Sequence, residues 1–262
     1  MTRYNAVCAA LAAFALPQAD HTHCVCGGNG DVNGHEHDTA VTWTTADSLP
    51  DSAGNYYLTQ SVSGSWTVPT GEVNLCLNGQ TISGSITVGS GATLRLTDCT
   101  GKGNLQDGVS VNGGTLELYG GTIIGGVEVG QHSNPATGSS FTMYGGAISG
   151  NNKEGGSGGG VFLVGTTNSN ITAPRFTMHG GTISDNTAGA SDGGGGGVYV
   201  GEKCSFTWTA EPSPATRPPT ATAAASISIC FQGSPSPAEK LPITLRAVRV
   251  SDMAAAFIRR AG

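Results

Sequence analysis

The sequence predicts an all-β solenoid, a single chain wound into a stack of coils with short strands in each. Three observations predict it. A glycine-rich phrase recurs, as YGGTIIG at Tyr119–Gly125, YGGAISGN at Tyr144–Asn151 and HGGTISDN at His179–Asn186. From Tyr56 to Trp208 the text alternates apolar and polar residues in runs of about three to six, each ended by Gly, Asn or Asp, as half-buried strands closed by tight turns do. The composition agrees: 42 glycines in 262 residues and only 11% charged residues make a chain dense in turns. The Val, Ile and Thr of its middle favour strands over disorder, and the glycines keep no G-X-Y period, which excludes collagen.

The elements follow in order. MTRYNAVCAALAAFALPQAD carries one arginine and an apolar stretch from Ala6 to Leu16. Residues 1–19 read as a candidate secretory signal, which would make the protein secreted or cell-surface. An ordinary apolar segment or a misplaced start codon are the alternatives, because Pro17 stands where a small residue belongs if cleavage follows Ala19. Residues 20–53 are polar and dense in His and Cys. Residues 54–208 form the repeat domain, opening with YYLTQSVSGSWTVP, EVNLCLNG, TISGSITVG and ATLRLTD. Alternation then turns Val109, Val111, Leu116, Leu118 and Ile123 toward a common axis. Val127, Val129, Phe141, Met143 and Ile148 belong above them, and Val161, Leu163, Phe176, Met178 and Ile183 above those. The paired glycines advance by 25 and then 35 residues, and the variation sits in loops such as GQHSNPATGSS and GTTNSNITAP. Constant strands with variable loops mark stacked repeats. Like then lies on like, about 4.8 Å apart. Asn151 and Asn186, which end equivalent phrases, are placed to form a hydrogen-bonded ladder. Trp43 and Trp66 are expected to cover the N-terminal end of the stack. A flexible linker, a β-sandwich and a propeller fit less well, since sandwich strands are longer and a four-stranded blade needs a longer repeat.

A fourth repeat opens with GGGGGVYV and CSFTW, and after Trp208 the language changes to TAEPSPATRPPTATAAASISI. Residues 209–262 read plainly as a Pro/Ala/Thr-rich tail of low order, with a short strand and a short helix in ITLRAVRVSDMAAAFIRRAG. A second reading fits more residues. Shifted by one base under the standard genetic code, Trp208–Pro219 can be read as MDGGTITGNTAA and Ala221–Ser228 as GDGGGVYI. These are the missing fourth phrase and a fresh coil opening, so the tail is expected to be out of frame, by mutation or by sequencing error. The stack then ends in an uncapped coil whose open strand edges invite end-to-end self-association.

Gly54–Cys99, GNYYLTQSVSGSWTVPTGEVNLCLNGQTISGSITVGSGATLRLTDC, followed by the GG-T-I-S-G-N phrases, resembles large repetitive surface proteins of gut-dwelling Gram-positive bacteria. The likeness runs from about His21 to Trp208. It implies a right-handed parallel β-helix of pectate-lyase-like shape and a role as adhesin or spacer. Such proteins carry further modules and a wall or membrane anchor; neither a wall-sorting motif nor a C-terminal apolar tail stands in this sequence.

Net charge is −6, from 12 basic and 18 acidic residues, so nothing attracts nucleic acid or an anionic membrane surface. No apolar run reaches the ~18 residues of a membrane-spanning helix. The sharpest cluster for chemistry is His21, His23, Cys24, Cys26, His35 and His37. Imidazole nitrogens and thiolates bind zinc in fours, and the metal is expected to staple the N-terminal region rather than catalyse. A disulfide from Cys24 or Cys26 is the competing reading, since C-x-C is not the usual C-x2–4-C of zinc loops. Cys76 and Cys99 fall in neighbouring coils and read either as a disulfide, in an exported chain, or as two buried thiols. Tyr119, Tyr144 and His179 hold one place in successive repeats, pointing outward. They read as a ladder for a glycan or a surface protein on another cell, or as a shield over sheet edges and turns. Asp98, Asp107, Glu117, Glu128, Glu154, Asp185 and Asp192 are scattered singly, as are Arg95 and Arg175. They give no convergent acid–base set of the kind a carbohydrate-cleaving β-helix needs. The expected protein is therefore non-enzymatic, without an organic cofactor; a pectate-lyase-like enzyme or a glycan-binding module is the alternative.

Overall fold

The computed structural model describes residues 21–26, 40–131, 137–153, 158–189 and 196–209, together with the backbone of three later strands, 228–231, 243–246 and 257–260. The candidate signal at 1–19, His35 and His37 lie outside the described residues.

Among the described residues every regular element is a strand. Runs this short, broken by glycine, give strands of two to six residues, each ended by a turn. Among the described strands from Gly54 on, consecutive strands do not pair with each other. Each pairs in parallel with the strand one coil before it, in sheets that run the length of the stack. The result is a right-handed parallel β-helix with three walls. Among the described residues wall one has nine strands, from Thr44–Ala46 through Gly71–Cys76, Ala92–Thr97, Thr115–Leu118, Ser140–Met143 and Arg175–Met178 to Ser205–Thr209 and Ile243–Arg246. Among the described residues wall two has six, ending at Thr182–Ser184, and wall three has eight, from Trp66–Thr67 to Phe257–Arg260.

Register makes the core. Val73, Leu94, Leu116, Phe141, Phe176 and Phe206 form one column of wall one. Leu75, Leu96, Leu118, Met143, Met178 and Trp208 form the next. All fifteen residues expected to point inward are at most 4% exposed and belong to one continuous cluster running from Ala46 to Phe206. Phe141 and Phe176 stack at 4.6 Å and 5°, and Phe176 and Phe206 at 5.0 Å and 21°. No coil could bury its own apolar face; each stays dry because its neighbours cover it.

Turns repeat as faithfully as strands. The Asn151 amide donates to Asn186 Oδ1 at 2.6 Å, its Oδ1 accepts from the Gly125 N–H, and Asn186 Nδ2 donates to the Ile148 carbonyl at 2.9 Å. The expected asparagine ladder is therefore present. In each phrase the second glycine takes positive φ, +86° at Gly121, +76° at Gly146 and +86° at Gly181.

Three expectations are corrected. Trp66 does sit at the end of the stack, 6% exposed, with its Nε1–H donating to the Pro50 carbonyl at 2.8 Å. Trp43 does not: it lies in a second cluster with Tyr57 and Cys76, because its segment folds back on the outer face of wall one. Nor does the stack end at Trp208. Ser228–Phe231 and Phe257–Arg260 extend wall three, and Ile243–Arg246 extends wall one, all in parallel. An open parallel edge offers backbone donors and acceptors to any segment that can extend, and ISICF and ITLR are rich enough in β-branched residues to do so. Residues 243–262 thus hold two strands where a strand and a helix were expected. The proline-rich 210–227, on which the frame-shifted phrase mostly falls, lies outside the described residues.

Candidate functional site

The strand Gly71–Cys76 turns Val73 and Leu75 inward, so alternation sends Asn74 and Cys76 to the outer face. Cys76 is nevertheless 0% exposed. The cover comes from Thr22–His23, paired antiparallel with Val41–Thr42, and from Trp43, which packs with Tyr57 and Cys76 beside Val41 and Cys99. His21 stacks on Tyr57 at 4.1 Å and 10°, and His23 lies against Trp43 at 4.5 Å.

This packing brings four donor atoms together. His21 and His23 meet at Nε2 to Nε2, 2.8 Å apart. The Cys76 and Cys99 sulfurs are 3.6 Å apart, and Cys99 Sγ is 4.0 Å from His21 Nε2. All four lie within 4.8 Å of one another, a set able to hold a metal ion. Burial, with the neighbouring His23, lowers the His21 pKa and favours the neutral imidazole. Burial pushes the Cys76 thiol up to about 12.

Sequence reasoning found half of this cluster. His21 and His23 are in it. Cys24 and Cys26 are joined as a disulfide and turned from the role expected of them, and His35 and His37 lie outside the described residues. Cys76 and Cys99, read as a disulfide or as two thiols, are two thiols with their sulfurs 3.6 Å apart, and they complete the set. Their placement one coil apart was legible in the repeat; the fold-back of residue 21 onto residue 99 was not.

The aromatic ladder is present in a particular form. Tyr119 stacks on Tyr144 at 4.8 Å and 10°, and Tyr144 on His179 at 4.9 Å and 5°. The rings are half-buried, and the faces within the ladder cover one another. The Tyr119 hydroxyl donates to Glu117 Oε2 at 2.9 Å, and burial together with that carboxylate raises its pKa.

Several acidic residues are engaged. Asp98 is 5% exposed and accepts from the Gly79 and Gly103 N–H groups, each at 2.8 Å, and from Thr100; it braces turns. Arg95, read as isolated, bridges three rungs, donating to Glu117 at 2.9 Å and to Glu72 at 3.0 Å. Asp185 has φ +55° where the sister phrase has Gly150 at +73°, a turn position that Asp tolerates. On wall three, a groove of about 290 Å³ is lined by Asp107, Glu128, Lys153 and Phe162 among others. There Lys153 Nζ lies 3.9 Å from Glu128 and 4.9 Å over the Phe162 ring. Among the described residues no helix is long and apolar enough to cross a membrane. No family model, no curated protein and no solved structure matches the chain.

Proposed function

We propose that this chain is a non-catalytic, rigid β-helix module of an exported bacterial surface protein, acting as a spacer or adhesin. One observation carries the reading: the outward side chains of wall one are committed to each other from rung to rung. Asn74 donates to Asn55 at 2.7 Å, Arg95 ties Glu72 to Glu117, and Tyr119, Tyr144 and His179 form one stack. Such columns stiffen a solenoid along its axis. The likeness of Gly54–Cys99 to repetitive surface proteins of gut-dwelling Gram-positive bacteria points the same way, and a metal at the thiol–imidazole cluster is then a brace. Small-angle scattering of the full chain is expected to report a rod of fixed length at all salt concentrations. On glycan arrays, a Tyr119→Ala/Tyr144→Ala/His179→Ala variant is expected to match the parent, because ring faces already stacked on each other are closed to sugars. A folded triple variant that loses a glycan signal present in the parent overturns that assignment.

The wall-three groove favours a second reading, a carbohydrate site. Two carboxylates, an amine and an aromatic ring in one groove are the groups that bind sugars and move protons at a glycosidic link. Incubation with neutral and uronate-containing polysaccharides tests it. Release of shortened or unsaturated sugars that is lost in Glu128→Gln and Lys153→Ala establishes this reading over the spacer.

A further inference from the structure

We propose that His21, His23, Cys76 and Cys99 form a structural zinc site that clips the N-terminal segment onto the outer face of wall one. The size of the cluster fits. Bonds of about 2.3 Å to sulfur and about 2.0–2.1 Å to nitrogen, at tetrahedral angles, place donor atoms about 3.3–3.8 Å apart. The observed 2.8, 3.6 and 4.0 Å separations bracket that shell. A bound ion replaces the hydrogen bond between the two imidazoles and draws together the donor atoms, which now spread over up to 4.8 Å.

The chemistry fits as well. Two thiolates and two imidazoles suit zinc and exclude calcium and magnesium, which want oxygen ligands. His23 is already oriented. Its Nδ1–H donates to the Cys24 carbonyl at 2.6 Å, leaving the Nε2 lone pair for the metal, and Trp43 Nε1–H donates to the His23 carbonyl at 3.0 Å. Partners of this kind fix the tautomer and the ring plane of metal-binding histidines. Four protein ligands leave no open position, and Trp43 and Tyr57 cover the site, so the ion has a structural role. It ties His21 to Cys99 across 78 positions of chain, and so restricts the unfolded state through a long loop. It also anchors the stretch that supplies Thr44–Ala46, the first strand of wall one.

The experiment uses the full chain, stripped of metal under reducing conditions and titrated with zinc and, separately, with cobalt. One ion per chain is expected. Cobalt is expected to show the intense visible bands of tetrahedral coordination and a near-ultraviolet thiolate charge-transfer band. Zinc is expected to raise the melting temperature and to slow amide exchange across Val41–Ala46 and Gly54–Leu58. Cys99→Ser weakens the thiolate band. His23→Gln weakens binding by more than the roughly 10–100-fold that loss of an outer-shell partner costs. A Cys24→Ser/Cys26→Ser variant keeps the stoichiometry. Cys99 and His23 are partly exposed, so both single variants can be compared at native circular dichroism, without relying on substitution of buried Cys76. The proposal is overturned by any of four results: no stoichiometric binding, a cobalt spectrum without thiolate, affinity unchanged in Cys99→Ser and His23→Gln, or a Cys76–Cys99 disulfide in the zinc-treated chain.

Discussion

Gly181 takes φ +86°, and a Cβ built on it meets the Gly146 carbonyl oxygen at 2.8 Å. Gly146 is in the same position one coil earlier, at φ +76°, where an added Cβ would meet the Gly121 carbonyl oxygen at 2.7 Å. Gly146→Ala is therefore expected to cost about 1–3 kcal/mol, the strain of a left-handed conformation in a residue with a side chain, with the backbone clash added. Gly150→Asp is the control. It too has positive φ, yet nothing lies within 4 Å and the next coil already carries Asp185 there. Urea unfolding should separate the two clearly. Asn151→Ala is expected to lose about 1–3 kcal/mol, because the Gly125 N–H and the Asn186 amide each lose a partner. These residues were legible in the sequence because they recur at fixed places in a repeated phrase. Arg95 was not. Its partners Glu72 and Glu117 lie in the coils on either side, and only the register of wall one brings the three charges together.

At the scale of the element, the unit of stability is the column. Phe176 lies between Phe141 and Phe206, fully buried, and Phe176→Ala is expected to cost about 3–5 kcal/mol. Tyr119 and Tyr144 form a half-exposed column instead. A double-mutant cycle on them should return a coupling of about 0.5–1.5 kcal/mol, the usual value for an aromatic pair. The raised Tyr119 pKa has a direction that can be tested. In the folded chain the phenol keeps its proton while the unfolded chain gives it up near pH 10. Its contribution is complete below that pH and falls as pH rises through the window above it. Stability should decline above about pH 10, and the decline should be shallower in Tyr119→Phe. Inward columns could be read before any coordinates because strand alternation fixes them. The outward use of each face depends on what folds over it, as the burial of Cys76 beneath Trp43 shows.

At the scale of the whole molecule, the three walls are unequal among the described residues. Wall one and wall three continue past Trp208 through Ile243–Arg246, Ser228–Phe231 and Phe257–Arg260. Among the described residues no strand follows Thr182–Ser184 in wall two. The next place in wall two is where a GG-T-I phrase belongs, since its Thr-Ile pairs occupy wall two at Thr122–Ile123 and Thr182–Ile183. The same imbalance shows in wall one, where Trp208 is only partly buried in a column whose Leu118, Met143 and Met178 are at most 1% exposed. A chain in which residues 208–219 read MDGGTITGNTAA, the one-base-shifted translation, restores methionine to that column and a Thr-Ile pair to wall two. The isoleucine alone contributes about 1.5–3 kcal/mol when buried, and the asparagine extends the ladder of Asn151 and Asn186. The restored chain is therefore expected to melt at a higher temperature than the parent, with slower amide exchange across Thr182–Ser184. Equal melting temperatures and equal exchange would show that the phrase does not complete wall two, and a resequenced locus unable to encode it would remove the reason to expect that it should.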